Sequence, residues 1–441
     1  MKIKVVNFLN IIVFLFSLLI LSLFYIFGLN EYFIFPMLIF FFNFYFYFFR
    51  SIINNQVDLI KIFIVFLFTY TFLGVIVINN ENILIILAKF LNLDYSIFNA
   101  NGVFKYDIII LLSVFLFSFL LNNNIQIYKN YLLVNKIKFS KVLGNITNII
   151  LLLYILFIVY VLFKSGGKYI WFSNMENKVL LFNLIGWGSV ILSGLIPYSY
   201  TNIPIKRTKL FLMNIILLIV LFALLKIRMY SMLFLFLLLI NLNMRGIFIK
   251  GKHLLLLIIF LFIMLILNIF RFESFSFNNI YITIFSIFGE FIMPNISLYF
   301  LVNNPLNFDH TFAIIDLFFQ MLPSSLRPYP ELYFFKDYYL SKNIHPWPIG
   351  GIYFLGQFYF YFGYLMFFIL LGLIFYFKKI QKILSTKKFS LLLLTFPMLS
   401  MFLPRMEIWI LRSCILSIIA FIIIYFLIKI LLNIKYKKEL Y

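Results

Sequence analysis

Residues 5–27, VVNFLNIIVFLFSLLILSLFYIF, decide the fold, because this run is long and apolar enough to cross a lipid bilayer. Lys2 and Lys4 precede the run, and no charged residue interrupts it. It is too long for the apolar core of a signal peptide, and it lacks a small-residue cleavage site. We therefore expect a first transmembrane helix here.

The rest of the chain repeats this pattern. Further apolar runs of spanning length lie at 33–49, 59–78, 107–121, 146–163, 179–197, 209–225, 229–242, 253–270, 357–377, 389–403 and 408–430. With the first run they predict an all-α polytopic membrane protein of about twelve transmembrane helices, a single integral membrane domain over residues 1–441. The composition agrees, because 65% hydrophobic and 11% charged residues leave too few polar side chains to cover a water-facing surface.

The basic residues indicate the orientation of the chain in the membrane. There are 36 lysines and arginines against 14 acidic residues, which in a soluble protein would suggest nucleic-acid binding. Here they form short clusters between apolar runs, a pattern typical of topology anchors. If Lys2 and Lys4 are cytoplasmic, the alternation of spans places all six of the remaining basic clusters in the cytoplasm as well. Those clusters are Arg50 and Lys61, Lys129 to Lys141, Lys206 to Lys209, Arg245 to Lys252, Lys378 to Lys388, and Lys435 to Lys438. We expect both termini in the cytoplasm and no nucleic-acid partner.

Residues 271–356 differ in kind from the rest of the chain. Residues 281–301 are apolar enough for another span, but a single crossing would place the Lys378 to Lys388 cluster outside. We therefore expect one large extracytoplasmic loop with re-entrant or interfacial helices, in which 281–301 and 311–322 either dip into the membrane or cross as a pair. The loop is rich in acids, histidines and prolines, and a long loop among short ones is usually functional.

Five arginines depart from the anchoring pattern, because they lie on the predicted outer side or within spans. Since guanidinium groups bind phosphate oxygens through paired donors, a cavity lined by several of them would bind a diphosphate. An arginine in lipid costs about 2.5–3.5 kcal/mol and normally faces a cavity and a partner. Interfacial anchoring, or salt bridges to Glu407 or Glu290, is the structural alternative. The five are Arg228, Arg271, Arg327, Arg405 and Arg412.

Two histidines of the outer loop are candidates for acid–base chemistry. His310 follows Asp309, and His345 lies in the sequence NIHPWP, two residues before Trp347. A histidine or carboxylate beside a sugar hydroxyl could act as a general base. For each histidine taken singly, a hydrogen bond within the loop is the better explanation. Trp347 could stack on a sugar ring.

Two acids complete the candidate set. Glu290 is the acid set most deeply in an apolar run, which gives it a functional reading, with an arginine partner as the alternative. Glu331 lies in the outer loop. The single cysteine, Cys414, excludes an intramolecular disulfide and a Cys-rich metal site. We expect no metal and no cofactor.

The predicted architecture and several local features carry a family resemblance. The local features are Leu322-Pro323 through Arg327-Pro328, Ile349-Gly350-Gly351, and Tyr361-Phe362-Gly363-Tyr364 entering a helix that ends at Lys378-Lys379. With the twelve spans and the large outer loop, the chain resembles the O-antigen polymerase (Wzy-type) or oligosaccharide repeat unit polymerase family of bacterial envelope proteins.

This resemblance implies a GT-C-like membrane glycosyltransferase of the bacterial cytoplasmic membrane that uses no nucleotide sugar. The donor would be a glycan on undecaprenyl diphosphate, and the acceptor a lipid-linked repeat unit. Catalytic roles would fall to Arg412, Arg271, Arg327, His310, His345 and Glu290, and substrate binding to Arg228, Arg405, Trp347, Asp309 and Glu331. The expected partners are the lipid bilayer, a chain-length regulator and a flippase.

Three other functions fit parts of the pattern. A polysaccharide flippase (Wzx-type) has about twelve spans at this length, but should show two similar halves, short loops and charged residues inside the bundle. An O-antigen ligase shares the polymerase architecture. A membrane acyltransferase would place its histidine near the cytoplasmic side, where His253 has no supporting motif.

Overall fold

The computed structural model describes most of the predicted spans, and its regular structure is helical. The described residues are 2–53, 59–85, 99–121, 138–166, 177–200, 205–225, 227–244, 295–296, 298–303, 354–386, 390–402 and 409–438. No strand occurs among them. The predicted run 253–270 and nearly all of the outer loop 271–356 lie outside the described residues.

The helices follow the apolar runs closely. They are α1 (Lys2–Ile26), α2 (Ile34–Ile53), α3 (Leu59–Ile78), α4 (Ala100–Leu121), α5 (Lys138–Lys164), α6 (Lys178–Tyr200), α7 (Ile205–Leu224), α8 (Arg228–Met244), α9 (Phe354–Phe362), α10 (Met366–Thr386), α11 (Leu392–Phe402) and α12 (Trp409–Lys438).

Six stretches in the described part of the chain are long and apolar enough to cross a membrane. They are Phe8–Ile26, Leu59–Ile78, Ala100–Leu121, Gly144–Lys164, Lys178–Pro197 and Gly363–Leu384. Shorter apolar helices occupy Lys209–Leu224, Tyr230–Asn243 and Ser413–Leu427. The chain is therefore an all-α membrane protein, as the sequence predicts.

Helix α5 begins eight residues before its predicted run, and α12 ends eight residues after its own. Helix α4 begins at Ala100, seven residues before the predicted run that starts at Asp107, and so takes Lys105 into the helix. The predicted run 357–377 is divided between α9 and α10 by a short 3₁₀ turn, Gly363–Leu365. Gly363 has a φ of 54°, a left-handed conformation that glycine adopts without steric cost and that interrupts an α-helix.

The helices form two compact units that interleave along the sequence. Unit 1 contains α1 to α4, the stretch 295–303, α9 and the first two-thirds of α10. Unit 2 contains α5 to α8, the end of α10, α11 and nearly all of α12. Each unit has its own buried core.

Helix α3 lies at the centre of unit 1. In the apolar stretch of α3, 65% of the residues are buried, whereas in that of α1 only 22% are. The outer face of α1 is a row of exposed apolar side chains. Lipid is the natural solvent for such a face. Aromatic rings fill the core, where Phe117 of α4 packs edge-on against Phe68 of α3 and against Phe354 of α9.

Small residues on α6 allow close helix packing in unit 2. The Tyr154 hydroxyl of α5 donates to the Ile185 carbonyl at 2.7 Å and lies 2.9 Å from the Ser189 hydroxyl. Ser193 and Ser417 of α12 share a hydrogen bond of 2.9 Å. Beside it, a side chain on Gly194 would collide with the Ser417 carbonyl oxygen. In lipid, apolar contact provides no net driving force for helix association, so helices associate through small residues that allow close approach and through hydrogen bonds.

We expect Gly194→Ala to destabilise unit 2 by about 1–3 kcal/mol, because the added methyl group meets backbone that must move. The matched control is Gly372→Ala in α10, where an added Cβ meets no atom within 4 Å. The thermal midpoint of each purified variant in detergent provides the measurement. Equal midpoints for the two variants would contradict the close packing of α6 on α12.

Candidate functional site

The structure describes two of the predicted site residues, and only through their backbone. Arg228 is the first residue of α8, at the tip of the hairpin that α7 and α8 form. Arg412 lies in the first turn of α12, which begins at Trp409. The others lie outside the described residues: Arg271, Arg327, Arg405, His310, His345, Glu290, Asp309, Glu331 and Trp347. The arginine-lined cavity therefore stays a prediction.

A buried polar cluster that the sequence analysis missed lies in unit 1. We call it the Asp107 cluster. It consists of two groups that meet at consecutive residues of α4, namely Asp107 with Asn79, and Tyr106 with Asn295 and Tyr299. Asp107 is 0% exposed, although it lies within a helix of spanning length. A buried acid inside a span is a functional hypothesis by default, because lipid penalises its charge.

Asn79 holds Asp107 in place. Its Nδ2 group donates to Oδ1 of Asp107 at 3.0 Å and also to the Val75 carbonyl at 3.0 Å. These two bonds use both amide hydrogens, and the reverse orientation of the amide would set oxygen against oxygen. The orientation of Asn79 is therefore fixed by its neighbours.

Two buried oxygen atoms of this pair receive no hydrogen bond. They are Oδ2 of Asp107 and Oδ1 of Asn79, both without a donor among the described residues. A buried polar atom without a partner costs about 1–3 kcal/mol, so two on adjacent side chains require an explanation.

The stretch 295–303 is tied to α4 beside this pair. The Tyr106 hydroxyl donates to Oδ1 of Asn295 at 3.0 Å in a fully buried contact. The Tyr299 hydroxyl accepts a hydrogen bond from the Asn99 amide at 3.0 Å. Gly74 of α3 is in contact with the Asn295 side chain, in space that a Cβ on Gly74 would occupy.

These contacts define the direction of the stretch 295–303. Asn295 lies at the level of Tyr106, whereas Asn303 lies against Gly102, near the start of α4. The stretch therefore runs antiparallel to α4 and leads towards the end of unit 1 where α3 ends and α4 begins. Asp107 is seven residues, about 10 Å, from the start of α4.

The chemistry of the Asp107 cluster is that of hydrogen bonding and proton transfer. It contains one acid, two amides and two phenols. Among the described residues, no group of three His, Cys, Asp or Glu side chains could hold a metal ion. Asp107 marks the edge of an apolar run in the sequence and therefore looked like a boundary residue. The signal that could have identified it is the continuous helical stretch that includes Asp107 and starts at Ala100.

Comparison with protein-family models, with curated proteins and with solved structures gives no significant match for the chain.

We expect Tyr106→Phe to destabilise unit 1 by about 1 kcal/mol, because it removes a buried donor to Asn295. The matched control is Tyr25→Phe, since the Tyr25 hydroxyl makes only an exposed contact of 3.4 Å with Asn101. Protease sensitivity of the purified variants provides the measurement. Faster cleavage in Tyr25→Phe than in Tyr106→Phe would contradict the anchoring role of Tyr106.

Proposed function

We propose that the protein joins lipid-diphosphate-linked oligosaccharide repeat units into a surface polysaccharide at the outer face of the bacterial cytoplasmic membrane. The observation that carries this proposal is the anchoring of the stretch 295–303 on α3 and α4. That stretch leads into the sequence segment 304–353, which contains both predicted histidines, two of the three predicted acids and one of the five predicted arginines, Arg327. Binding and catalytic residues commonly lie on loops that a rigid scaffold positions, and here α3 and α4 position the start of the polar segment.

The proposal includes a topology of twelve spans with a GT-C-like arrangement and both termini in the cytoplasm. On this topology α3 ends and α4 begins at the outer side, so Asn303, which lies against Gly102, is near the side where lipid-linked repeat units are polymerised. The basic loops support the orientation. The exposed lysines Lys378, Lys379 and Lys382 near the end of α10 are consistent with a cytoplasmic location.

The reaction is a transfer of a glycan from one lipid to another. A hydroxyl oxygen of the acceptor repeat unit forms a bond to the anomeric carbon of the donor, and the bond from that carbon to the diphosphate breaks. The diphosphate leaves with the electron pair, and guanidinium groups stabilise its charge. Arg412, Arg271 and Arg327 are the candidates for this role, and His310, His345 or Glu290 would accept the proton of the attacking hydroxyl.

Substrate binding falls to the remaining predicted residues. Arg228 and Arg405 would hold phosphate oxygens, because their guanidinium groups remain charged. Trp347, Asp309 and Glu331 would contact the sugars, by stacking and by hydrogen bonds to hydroxyl groups. The expected partners are the lipid-linked glycan, a chain-length regulator and a flippase.

One observation favours a second candidate, a repeat-unit flippase. Asp107 is a buried acid within a span, and such acids occur in transporters that couple movement to ions. Against this candidate, the two units interleave along the sequence, whereas the repeats of such transporters are commonly consecutive halves. The polymerase therefore remains our first proposal.

The topology predicts opposite labelling of two positions, each introduced as a single cysteine in a Cys414→Ala background. Glu81 and Lys379 are both exposed, so either thiol can react. Glu81→Cys should react with a membrane-impermeant maleimide in intact spheroplasts, and Lys379→Cys only after permeabilisation. Labelling of both positions from the same side would overturn the topology.

Deletion of the gene should leave surface lipid that carries a single repeat unit, and Arg412→Ala should reproduce this with about 100-fold or greater loss of polymerisation. Arg412→Lys should recover part of the activity, because it keeps the charge but loses the paired donors. Gel analysis and mass spectrometry of the surface glycan, in cells with matched protein levels, provide the measurement.

The matched control is Lys429→Ala, an exposed cation of the same helix whose loss should leave the polymer unchanged. Full-length polymer in the deletion strain would overturn the proposed function. Repeat units trapped in the cytoplasm would instead identify a flippase, and long polymer left on undecaprenyl diphosphate would identify a ligase.

A further inference from the structure

Asp107 and Asn79 present two acceptor atoms for which no residue that the structure describes supplies a donor. Both hydrogens of the Asn79 amide are used, one on the Val75 carbonyl and one on Oδ1 of Asp107. Oδ2 of Asp107 and Oδ1 of Asn79 are left, and each is buried. Because the two side chains are hydrogen-bonded to each other, these two oxygens lie on neighbouring side chains.

No charged side chain among the described residues pairs with Asp107. Lys105 is two residues away on α4, so it lies on a different face of that helix. The neighbouring elements contribute Glu31 after α1, Tyr45 of α2, Glu81 after α3, and Tyr299. Within the described part of the chain, Asp107 makes its polar contact with Asn79 and with none of these.

A metal ion does not suit this site. Ca²⁺ and Mg²⁺ take about six or more oxygen ligands, and the described residues offer two free oxygens. A water molecule could donate to both oxygens, but it would leave the carboxylate charge uncompensated inside a span. One proton meets both requirements, because it removes the charge and supplies the missing donor.

We propose that Asp107 and Asn79 form a proton-binding site, in which Asp107 is a neutral carboxylic acid whose Oδ2–H group donates to Oδ1 of Asn79. The two side chains then form a closed pair with two hydrogen bonds, N–H to Oδ1 of the acid and O–H to Oδ1 of the amide. Uptake of one proton adds one positive charge and cancels the carboxylate charge, with no other change in bonding.

The position of the site gives the proton a structural consequence. Asp107 follows Tyr106, which holds the stretch 295–303 through Asn295. Loss of the proton would place a negative charge one residue from that anchor, in a region with no water to solvate it. The site therefore links protonation to the packing of 295–303 on α4, whatever glycan reaction the protein carries out.

The test is infrared difference spectroscopy of the purified full-length protein in lipid nanodiscs, in a buffer in which the exposed side chain of Glu81 is ionised. The spectrum of the wild type minus that of Asp107→Asn should contain a carbonyl band of a neutral carboxylic acid, which shifts on transfer to heavy water. The matched control, wild type minus Glu81→Gln, should contain carboxylate bands instead. The band should move to higher frequency in Asn79→Leu, because its carbonyl loses the Asn79 donor.

A second measurement needs no substitution. The chain contains six aspartates, and solid-state NMR of protein labelled with ¹³C at aspartate Cγ should show one of them as a neutral acid in the same buffer. Carboxylate bands alone at Asp107, or a spectrum that changes with Na⁺ at constant pH, would overturn the proton site. Both measurements are independent of glycan polymerisation, so failure of either proposal is distinguishable from failure of the other.

Discussion

The whole structure depends on the lack of water in the hydrocarbon core of a bilayer. A polar group there has no solvent to bind, so each one must find its partner inside the protein. For the backbone, the helices meet this requirement. For side chains, the two units meet it by specific pairs, such as Tyr154 with Ser189 in unit 2 and Tyr106 with Asn295 in unit 1. Among the acids that the structure describes, Asp107 is the one on which the requirement is strictest, because it is fully buried and one of its oxygens has no donor from that part of the chain.

Close packing follows from the same constraint. Apolar contact between helices gains little in lipid, so helices associate where backbones can approach and hydrogen bonds can form. Gly188 and Gly194 of α6 meet Tyr154 and the Ser417 carbonyl, and Gly74 and Gly102 meet Asn295 and Asn303. In both units, the glycines therefore lie beside the polar contacts that hold the helices together. The exposed faces of α1 and α5 contain the large apolar side chains that lipid can cover.

The sequence predicts the helices well, because hydropathy over about twenty residues is a local property. It locates α3 at its observed bounds and α12 within a few residues of its start. It misplaces the start of α4, because Lys105 and Asp107 lower the local hydropathy while tertiary contacts keep the helix intact. It also misses the division at Gly363, which depends on a single backbone angle. Neither difference alters the fold class.

The Asp107 cluster could not be predicted from local sequence, because its members lie far apart in the chain. Tyr106 and Asn295 are separated by 189 residues, and asparagine is common throughout this sequence. No periodicity relates Asn295 to the end of α3 or the start of α4. Apart from the backbone of Arg228 and Arg412, the predicted arginine and histidine site lies outside the described residues, so its geometry remains a prediction.

The buried acid does not by itself decide between glycan polymerisation and transport. A neutral acid paired with an amide contributes two hydrogen bonds and no charge, which any membrane protein can use to join two helices. A transporter that couples substrate movement to protons must also release the proton during its working cycle. The two units interleave along the sequence, and this arrangement by itself does not indicate such a cycle. Diphosphate chemistry makes the opposite demand, a fixed positive charge that does not depart, and arginine meets it because its guanidinium group stays protonated. The acid pair and the arginines therefore answer different physical needs, and the polymerase proposal depends on the anchored stretch 295–303 and on the arginines, not on the acid pair.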